Sequence, residues 1–552
     1  MKKWLFFFQI STILFSAQTS EKPGTRLVVF ISIDHFRPDL LTRFDGLYTG
    51  GFRWLIDHST WFTNTHHEHA YTATGPGHFV LGSGRHPGPM GILGNSWYDP
   101  EKNEDVYCVE DSLSKILGGG GRKVSYRNVH CTALGDWVKE FYPGAKVYSI
   151  AGKDRASVFM GGKSPDMAIW YNWEGRFVTS DYYTARIPPW LEDFNNSLAV
   201  EKYKDSLWTR SLDTQVYEQY SRQDYFQGEE DVFEFLPYSP VFPIGFNPGE
   251  NVGENIGNTH WLEKITLNLA SVIVTNENLG YDEIPDILFL GLSATDWIVH
   301  NWGPFSQEVM DLMIKLDRYL AKFFRVLDEK VGLENIQFVL TSDHGGLPIP
   351  EYLKEKELEN TGRVNPEVRK NASKNILGEL INTYGVDDLV LIKGTRFYYN
   401  HQKLNELYIN PSEIDGIIRK HINTVDGFAQ LITKNEVINA PAEDIILQRF
   451  RNSHHPTKSQ DASILLEKNW VYRTPYGTGH GTPYSYDSHV PLLFSKEGEQ
   501  KTFISRKILT VDIAPTVAQI LGVAIPEGID GMPIREMNRK GDSYGKSENN
   551  SE

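Results

Sequence analysis

Two threonine hydroxyl groups are the first candidates for catalysis in this chain. Thr72 and Thr74 lie in residues 71–84, YTATGPGHFVLGSG. The glycine–proline–glycine after Thr74 predicts a turn, and the apolar run of small residues behind it predicts a helix. A hydroxyl at a helix N-terminus lies where backbone N–H groups bind an anion. We expect Thr74 to be a nucleophile; the alternative is a capping threonine in a surface turn.

Acidic side chains follow three continuous apolar runs. Leu27–Ile33 is followed by Asp34, residues 287–292 lead to Asp296, and residues 337–340 lead to Asp343. Such β-branched runs are typical of strands buried on both faces of a parallel sheet. Ligands bind at the carboxyl ends of strands in open α/β sheets, and buried carboxylates need partners. The repetition therefore indicates a binding site.

Histidines stand at distances from these acids that suit a metal site. His300 follows Asp296 by four residues, His344 follows Asp343 directly, and His480 lies between glycines. A helical turn after the strand would bring Asp296 and His300 to one side. Neutral imidazole and carboxylate are zinc ligands, and three per ion leave a position open for substrate. Each fragment is weak alone, but together they predict a metal centre.

As a set, these residues resemble the alkaline phosphatase superfamily. The resemblance is greatest to the secreted bacterial phosphate-irrepressible (PafA-type) alkaline phosphatases of the nucleotide pyrophosphatase/phosphodiesterase-like branch, and it extends from Asp34 to residue 531. It implies two Zn²⁺ per chain and a nucleophilic threonine that matches Thr74. The implied ligands are Asp296, His300 and His480 for one zinc, and Asp34, Asp343 and His344 for the other.

The resemblance also assigns groups to the phosphoryl oxygens. Asn95 in GNSWYD matches an asparagine that donates to one such oxygen, and Lys153 and Arg155 in AGKDR match the family's lysine and arginine. A solvated pair of loop residues is the alternative for Lys153 and Arg155. His489 competes with His480 as a zinc ligand, but His480 before a glycine fits the motif better. We expect His66, His67, His69 and His78 to be structural, with His78 supporting the turn.

Charge counting favours phosphate monoesters as substrates. Two zinc ions, three aspartates and a Thr74 alkoxide would sum to zero, and Lys153 and Arg155 would add +2, which matches a monoester dianion. The expected reaction passes through a covalent phosphothreonine. The alternatives are a phosphodiesterase or nucleotide pyrophosphatase on the same site, and a non-catalytic zinc- or phosphate-binding protein. Sulfatases and long-chain alkaline phosphatases do not fit, because TGPGH replaces the sulfatase motif and a magnesium site cannot be placed.

Composition and the N-terminal residues indicate the location of the protein and the class of its partners. Of 552 residues, 55 are basic and 71 acidic, a net charge of −16, and there is no basic block after the N-terminus, so nucleic acid is an improbable partner. Residues 1–20 resemble a secretory signal, and no later segment is long enough to span a membrane. We expect an exported protein, periplasmic or secreted. The sequence leaves open the pairing of Cys108 with Cys131 and the oligomeric state.

The predicted fold is α/β, with a mostly parallel central sheet and helices on both faces. Ser306 is expected to cap a long amphipathic helix, and residues 511–521 predict another helix. The catalytic domain would span 21–537, ahead of a disordered tail at 538–552. Residues 180–260 predict an irregular insertion, either a lid or aromatic loop packing. Residues 360–460 predict a small α+β insertion.

Overall fold

The computed structural model describes residues 24–538, apart from residues 199, 236 and 474. The predicted signal at 1–20, its cleavage position, and nearly all of the predicted tail lie outside the described residues. The strands, in chain order, are β1 Leu27–Ile33, β2 Ser59–His66, β3 Ser96–Asp99, β4 Glu104–Tyr107, β5 Ile116–Leu117, β6 Val147–Ala151, β7 Met167–Tyr171, β8 Phe177–Ser180, β9 Asp286–Leu292, β10 Ile336–Thr341, β11 Gly362–Arg363, β12 Val390–Lys393, β13 Arg396–Tyr399, β14 Phe428–Thr433, β15 Ala462–Leu466, β16 Trp470–Val471, β17 His489–Ser495, β18 Thr502–Ile504 and β19 Ile508–Leu509.

Helices connect and cover these strands. In chain order they are α1 Pro38–Arg43, α2 Gly51–Asp57, α3 Thr74–Ser83, α4 Leu134–Phe141, α5 Asp154–Gly161, α6 Pro189–Leu198, α7 Thr214–Tyr220, α8 Val252–Asn255, α9 His260–Glu277, α10 Ala294–Trp302, α11 Gln307–Lys330, α12 Pro350–Glu355, α13 Pro366–Tyr384, α14 His401–Glu406, α15 Pro411–Ile422, α16 Lys434–Ile438, α17 Ile445–Asn452, α18 Ser485–Ser488 and α19 Ile513–Ile520.

The main sheet has five parallel strands at its centre, in the order β10-β1-β9-β6-β7. Antiparallel strands flank this centre: β17 pairs with β10, β2 with β17, and β8 with β7. A parallel strand in the middle of a sheet is covered on both faces, which explains the continuous apolar runs in the sequence. The predicted mostly parallel sheet is confirmed.

Helices cover both faces of the sheet, as predicted. In β1, Val29 and Ile31 pack into a core shared with α9 and α11, whereas Val28 and Phe30 pack into a second core shared with α4 and α19. The long helix α11 begins after Ser306, whose Oγ accepts a hydrogen bond from a backbone N–H in the first turn. The second predicted helix, at 511–521, is present as a short 3₁₀ turn followed by α19.

A second, smaller sheet has the antiparallel order β12-β13-β15-β14. Helices α13 and α15 pack on it around a separate apolar core. This is the α+β arrangement predicted for residues 360–460.

The aromatic segment at 180–260 is less irregular than predicted, because it contains helices α6, α7 and α8. Trp208, Tyr217 and Phe233 are buried in the core that also contains α9 and α11. Large aromatic side chains remove much apolar surface from water and need no regular backbone to do so. These contacts agree with the packing alternative for the segment.

Candidate metal centre and nucleophile

The three predicted acids meet at the carboxyl edge of the main sheet. Strand β1 lies between β10 and β9, with Ser32 opposite Thr341 on one side and Ile33 opposite Leu292 on the other. Asp34 follows β1 directly, Asp343 comes two residues after β10, and Asp296 lies in the first turn of α10, after β9. At most 4% of each aspartate is exposed. Parallel pairing thus brings residues that are about 300 apart in sequence into one site.

Asp34, His78 and Asp343, with His344 beside them, form what we term the carboxylate cluster. The ligand atoms of the first three lie within 4.8 Å of one another. His78 Nε2 is 3.3 Å from Asp34 Oδ1, and His344 Nε2 is 3.2 Å from Asp343 Oδ2. Among the described residues, Asp343 Oδ2 has no hydrogen-bond donor, whereas Asp34 is ion-paired, since Lys153 Nζ lies 3.0 Å from its Oδ2. Burial, and next the charge of Asp34, raises the pKa of Asp343 well above its usual value.

A second group, which we term the histidine cluster, comprises His35, Asp296, His300 and His480. Asp296 Oδ1 lies 2.9 Å from His35 Nδ1, 3.3 Å from His300 Nε2 and 3.6 Å from His480 Nε2. The four-residue spacing on α10 brings Asp296 and His300 together, as the sequence predicts. Burial lowers the pKa of His300 to about 4, so its imidazole is neutral at physiological pH.

Three imidazoles are held in one orientation by backbone carbonyls. The Nδ1 atoms lie 2.7–2.9 Å from carbonyl oxygens, in the pairs His300 with Thr478, His344 with Gly345, and His480 with Thr72. A carbonyl oxygen only accepts, so each Nδ1 carries the proton and each Nε2 presents a lone pair. Metal-ligating histidines are oriented in this way by groups behind them.

The donor sets of both clusters fit divalent cations. Buried carboxylate oxygens without donors are costly unless a cation or a proton compensates them. Here they lie beside imidazole lone pairs, and this mixture of oxygen and nitrogen ligands is one that zinc accepts. The sequence analysis left His78 as structural. Its Nδ1 does lie 2.9 Å from Thr74 O, as support for the turn requires, but its Nε2 reaches the carboxylate cluster.

Thr74 is the first residue of α3, not part of an irregular turn before it. The expectation that the following glycine–proline–glycine forbids regular structure is wrong. The first turn of a helix needs no internal N–H partners, and proline is tolerated there. The helix start packs against the end of β10, since a Cβ on Gly77 would lie 2.2 Å from Asp343 O. This close approach holds Thr74, which is 1% exposed, beside the carboxylate cluster.

Arg155 and Asn95 flank Thr74. Arg155 Nη2 lies 3.3 Å from Thr74 Oγ1. Burial works to lower the pKa of this guanidinium, but Tyr107 and Asp154 outweigh it and raise the pKa, so the charge is secure. Asn95 Oδ1 accepts from the N–H of Gly75 at 2.7 Å, which turns the amide N–H groups towards other acceptors. The structure thus brings a guanidinium to the hydroxyl of the predicted nucleophile and the Asn95 amide to the residue after it.

Lys153 links the two clusters. Its Nζ lies 2.5 Å from Asp296 Oδ2 and 3.0 Å from Asp34 Oδ2. Burial works to lower the pKa of Lys153, but Asp296 and Asp34 outweigh it and keep the pKa raised, so the ammonium is charged. In this arrangement Lys153 neutralises predicted metal ligands, and it lies one residue before α5 rather than in a solvated loop.

The other histidines and the cysteines are placed outside the two clusters. His489 Nε2 lies 2.9 Å from Thr63 O and its ring stacks on His66, so His480 is the histidine that joins the site. Cys108 and Cys131 are both free thiols. His35 and His78 are the two cluster members that the sequence did not predict as ligands. The only signal for His35 is its position directly after Asp34, at the end of a buried strand.

A cavity of about 600 Å³ opens beside the histidine cluster. His300 and His480 line it, together with aromatic residues such as Tyr71, Tyr98 and Trp470. The residues that line it come from outside the 180–260 segment. The cavity is large enough for an organic group attached to a reacting phosphate.

Comparisons with known proteins agree with this geometry. The family model described as "Type I phosphodiesterase / nucleotide pyrophosphatase" matches residues 28–490. The chain is 29% identical to alkaline phosphatase PafA of Elizabethkingia meningoseptica, over 97% of this chain and 99% of the relative. It is 31% identical to alkaline phosphatase PhoV of Synechococcus elongatus, over 94% of each.

A solved structure shows the same fold. The crystal structure of wild-type alkaline phosphatase PafA superposes with a TM-score of 0.84 and 28% sequence identity, covering 94% of this chain and 99% of that chain. The predicted fold class and the predicted resemblance to PafA-type alkaline phosphatases are confirmed. The chain therefore belongs to the type I phosphodiesterase / nucleotide pyrophosphatase family.

Proposed function

We propose that this protein is an exported di-zinc phosphatase that hydrolyses phosphate monoesters through a covalent intermediate on Thr74. The observation that carries the proposal is the position of Thr74 Oγ1. It lies at a helix N-terminus, 3.3 Å from the guanidinium of Arg155, and the main chain around it contacts both clusters, with Thr74 O 2.9 Å from His78 Nδ1 and Thr72 O 2.7 Å from His480 Nδ1. The similarity to alkaline phosphatases PafA and PhoV over almost the whole chain supports the same reaction.

The two clusters would each hold one ion. Asp34, Asp343 and His344 would bind one, with His78 close by, and Asp296, His300 and His480 the other. Bound zinc would act as a Lewis acid towards the attacking and leaving oxygens of an in-line displacement. A cation in the carboxylate cluster would compensate Asp343 Oδ2, which lacks a hydrogen-bond donor among the described residues, whereas both oxygens of Asp296 already have partners in His35 and Lys153.

The covalent step uses Thr74 Oγ as nucleophile. A bond forms between Oγ and phosphorus while the ester P–O bond breaks, and the alcohol leaves. Water then cleaves the phosphothreonine and releases inorganic phosphate, which restores Thr74. Arg155 would donate to a phosphoryl oxygen throughout, and the Asn95 amide would donate to another as charge redistributes.

Preference for monoesters would depend on the positive charge beside Thr74. A monoester dianion carries one more negative charge than a diester, so Arg155 would favour it. Lys153 would contribute to the same field. Its ammonium is already paired with Asp34 and Asp296, so we expect Arg155 to have the larger effect.

The test is the ratio of kcat/KM for an aryl phosphate monoester to that for the matching methyl diester. It should be measured in zinc-loaded wild type, in Lys153→Ala, in Arg155→Ala and in the double variant. We expect a strong monoester preference that falls by about tenfold to a thousandfold in the double variant. A Lys420→Ala variant controls for general loss of positive charge, because Lys420 is exposed, pairs with Glu379 and does not line the cavity.

A second candidate function is a phosphodiesterase or nucleotide pyrophosphatase on the same site. Two observations favour it: the description of the matching family, and the engagement of Lys153 with carboxylates, which leaves one guanidinium at Thr74. A diester preference in wild type, unchanged by the substitutions, would select this function. Tight phosphate binding without turnover would instead indicate a non-catalytic binding protein.

Export remains part of the proposal. Residues 1–20 have the pattern of a secretory signal, and within the described part of the chain no helix combines the length and the apolar character needed to cross a membrane. We propose small-molecule phosphate esters as partners. N-terminal sequencing of the protein from the periplasm or medium, compared with the protein in the cell extract, tests both export and the position at which the signal is cleaved.

A further inference from the structure

His35 contacts residues of both clusters. The sequence did not predict this, although His35 directly follows the predicted ligand Asp34. Its backbone N–H donates to Asp343 Oδ1 at 3.1 Å, and its side-chain Nδ1 lies 2.9 Å from Asp296 Oδ1. The residue is fully buried. One residue therefore contacts the carboxylate cluster through its main chain and the histidine cluster through its side chain.

The two ring nitrogens of His35 face different surroundings. Nδ1 faces a carboxylate oxygen, which accepts, so Nδ1 carries the proton. Nε2 has no hydrogen-bond partner and is directed at the backbone of Gly346, where a Cβ would lie only 1.6 Å away. The three oriented histidines show the opposite pattern, because their Nε2 atoms face the clusters and their Nδ1 atoms face carbonyls. His35 is thus placed as a donor to Asp296 and not as a metal ligand.

The backbone of His35 adopts an uncommon conformation to achieve this placement. Its φ is +60°, in the left-handed region, which most residues other than glycine avoid. Such a conformation persists only where the surroundings enforce it, and it often marks a functional site. The absence of a side chain at Gly346 provides the space that the imidazole ring fills.

We propose that His35 is a positioning residue that fixes the Asp296 carboxylate for the cation of the histidine cluster. With Oδ1 held by His35 Nδ1–H, rotation of the carboxylate is restricted, and the ligand is preorganised between His300 and His480. Groups that orient metal ligands in this way typically change metal affinity by about tenfold to a hundredfold. The inference rests on the metal binding in the proposed function, but not on phosphatase activity.

Two substitutions separate the hydrogen bond from the backbone conformation. His35→Asn tolerates positive φ and keeps an N–H donor near the position of Nδ1. His35→Gly also tolerates positive φ but has no donor. The measurement is the zinc affinity of each of the two sites, from zinc-buffered titrations followed by metal analysis. We expect His35→Gly to weaken one site by about tenfold to a hundredfold, and His35→Asn to stay within about threefold of wild type.

The affected site is assigned by combining variants. Asp343→Asn should weaken the carboxylate cluster, and the effect of His35→Gly should persist in that background. His480→Ala should weaken the histidine cluster, and there His35→Gly should have no further effect. Thermal unfolding of the zinc-free proteins checks folding, and His35→Ser replaces the glycine variant if that variant unfolds without cooperativity.

Three results would overturn the inference: equal loss at both sites, no loss in His35→Gly or its replacement, or a loss in His35→Asn as large as in His35→Gly. The last result would mean that the imidazole itself is a ligand. If wild type binds two zinc ions but does not hydrolyse monoesters, the proposed function fails while the affinity data still decide the role of His35.

Discussion

Asp286 and Asp343 are buried aspartates at opposite ends of the main sheet. Asp286 begins β9, and its two oxygens accept backbone N–H groups of Lys146 at 2.7 Å and Gly280 at 2.8 Å. Asp343 lies beyond the end of β10. Its Oδ1 accepts from His35 and His344, but its Oδ2 accepts no hydrogen bond from the residues that the structure describes. These residues supply donors to both oxygens of Asp286 and to only one oxygen of Asp343.

This difference separates a structural carboxylate, Asp286, from a proposed metal ligand, Asp343. Buried polar groups are normally satisfied by the protein itself, and Asp286 follows that rule by tying β9 to the segments beside it. Asp343 departs from it next to a second carboxylate, Asp34, whose Oδ1 also lacks a hydrogen-bond donor among the described residues, while Lys153 Nζ lies 3.0 Å from its Oδ2. Carboxylates that lack donors and face each other are a liability unless a cation binds between them.

The largest expected effect follows from exchanging these aspartates for asparagine. Asp343→Asn should reduce kcat/KM for an aryl phosphate by roughly a thousandfold or more, because it removes a charged ligand of the reacting centre. Asp286→Asn, measured on the same folded concentration, should stay within about threefold of wild type. Similar losses of kcat/KM in both variants would mean that the effect of Asp343→Asn comes from reduced stability, and that Asp343 and Asp286 do not differ in role.

Removal of metal should expose the same difference in stability. Chelation should lower the free energy of unfolding of wild type by about 4 kcal/mol for each zinc site, and so by about 8 kcal/mol in total, when zinc had been present at a thousand times the dissociation constant of each site. In zinc-free protein, Asp343→Asn should be at least as stable as wild type, since it removes a group that repels Asp34. Urea unfolding with and without chelator provides the values. A zinc-free Asp343→Asn protein clearly less stable than zinc-free wild type would contradict the argument.

Much of the site could be predicted from the sequence, because the order of the buried strands in the sheet determines which residues come together. The apolar runs before Asp34, Asp296 and Asp343 fix buried strands, and parallel pairing then places their carboxyl ends side by side. The helical spacing of His300 from Asp296 follows from the same pattern. These are short-range rules, applied to elements whose type was unambiguous.

What the sequence did not reveal depends on contacts between distant segments. Membership of His35 in the histidine cluster requires a positive φ and the space at Gly346, more than 300 residues later. Likewise, the helical start at Thr74 depends on the close packing of Gly77 against Asp343. Local propensity reads glycine and proline as turn formers, and tertiary contact overrides it.

A smaller effect is expected from deleting the structural carboxylate. Asp286→Ala leaves the buried N–H of Gly280 and the partly buried N–H of Lys146 without acceptors, and each orphaned donor costs about 1–3 kcal/mol. The free energy of unfolding at pH 4.5 should therefore fall by roughly 2–4 kcal/mol, while kcat/KM per folded molecule should remain unchanged. Asp282→Ala is a matched control, because it removes an exposed carboxylate that accepts one N–H, from Ile284. Equal destabilisation by both substitutions would deny Asp286 its structural role.

The smallest expected effect is the change with pH in the free energy of unfolding that Asp286→Ala removes. Burial raises the pKa of Asp286 to about 6, even though the backbone hydrogen bonds act to lower it. The folded pKa exceeds the unfolded value, so the folded state binds the proton more tightly. The stabilisation from Asp286 is then complete at low pH and is lost as pH rises to about 6, by at most about 3 kcal/mol.

The gap in unfolding free energy between wild type and Asp286→Ala should therefore narrow between pH 4 and pH 7. Both proteins should be compared in chelator at each pH, so that loss of zinc at low pH does not contribute. A gap that widens with pH would mean that the hydrogen bonds from Lys146 and Gly280 favour the ionised carboxylate more than burial opposes it. In that case Asp286 would be stabilised as an anion by the backbone alone, which Asp343, with one oxygen lacking a donor, is not.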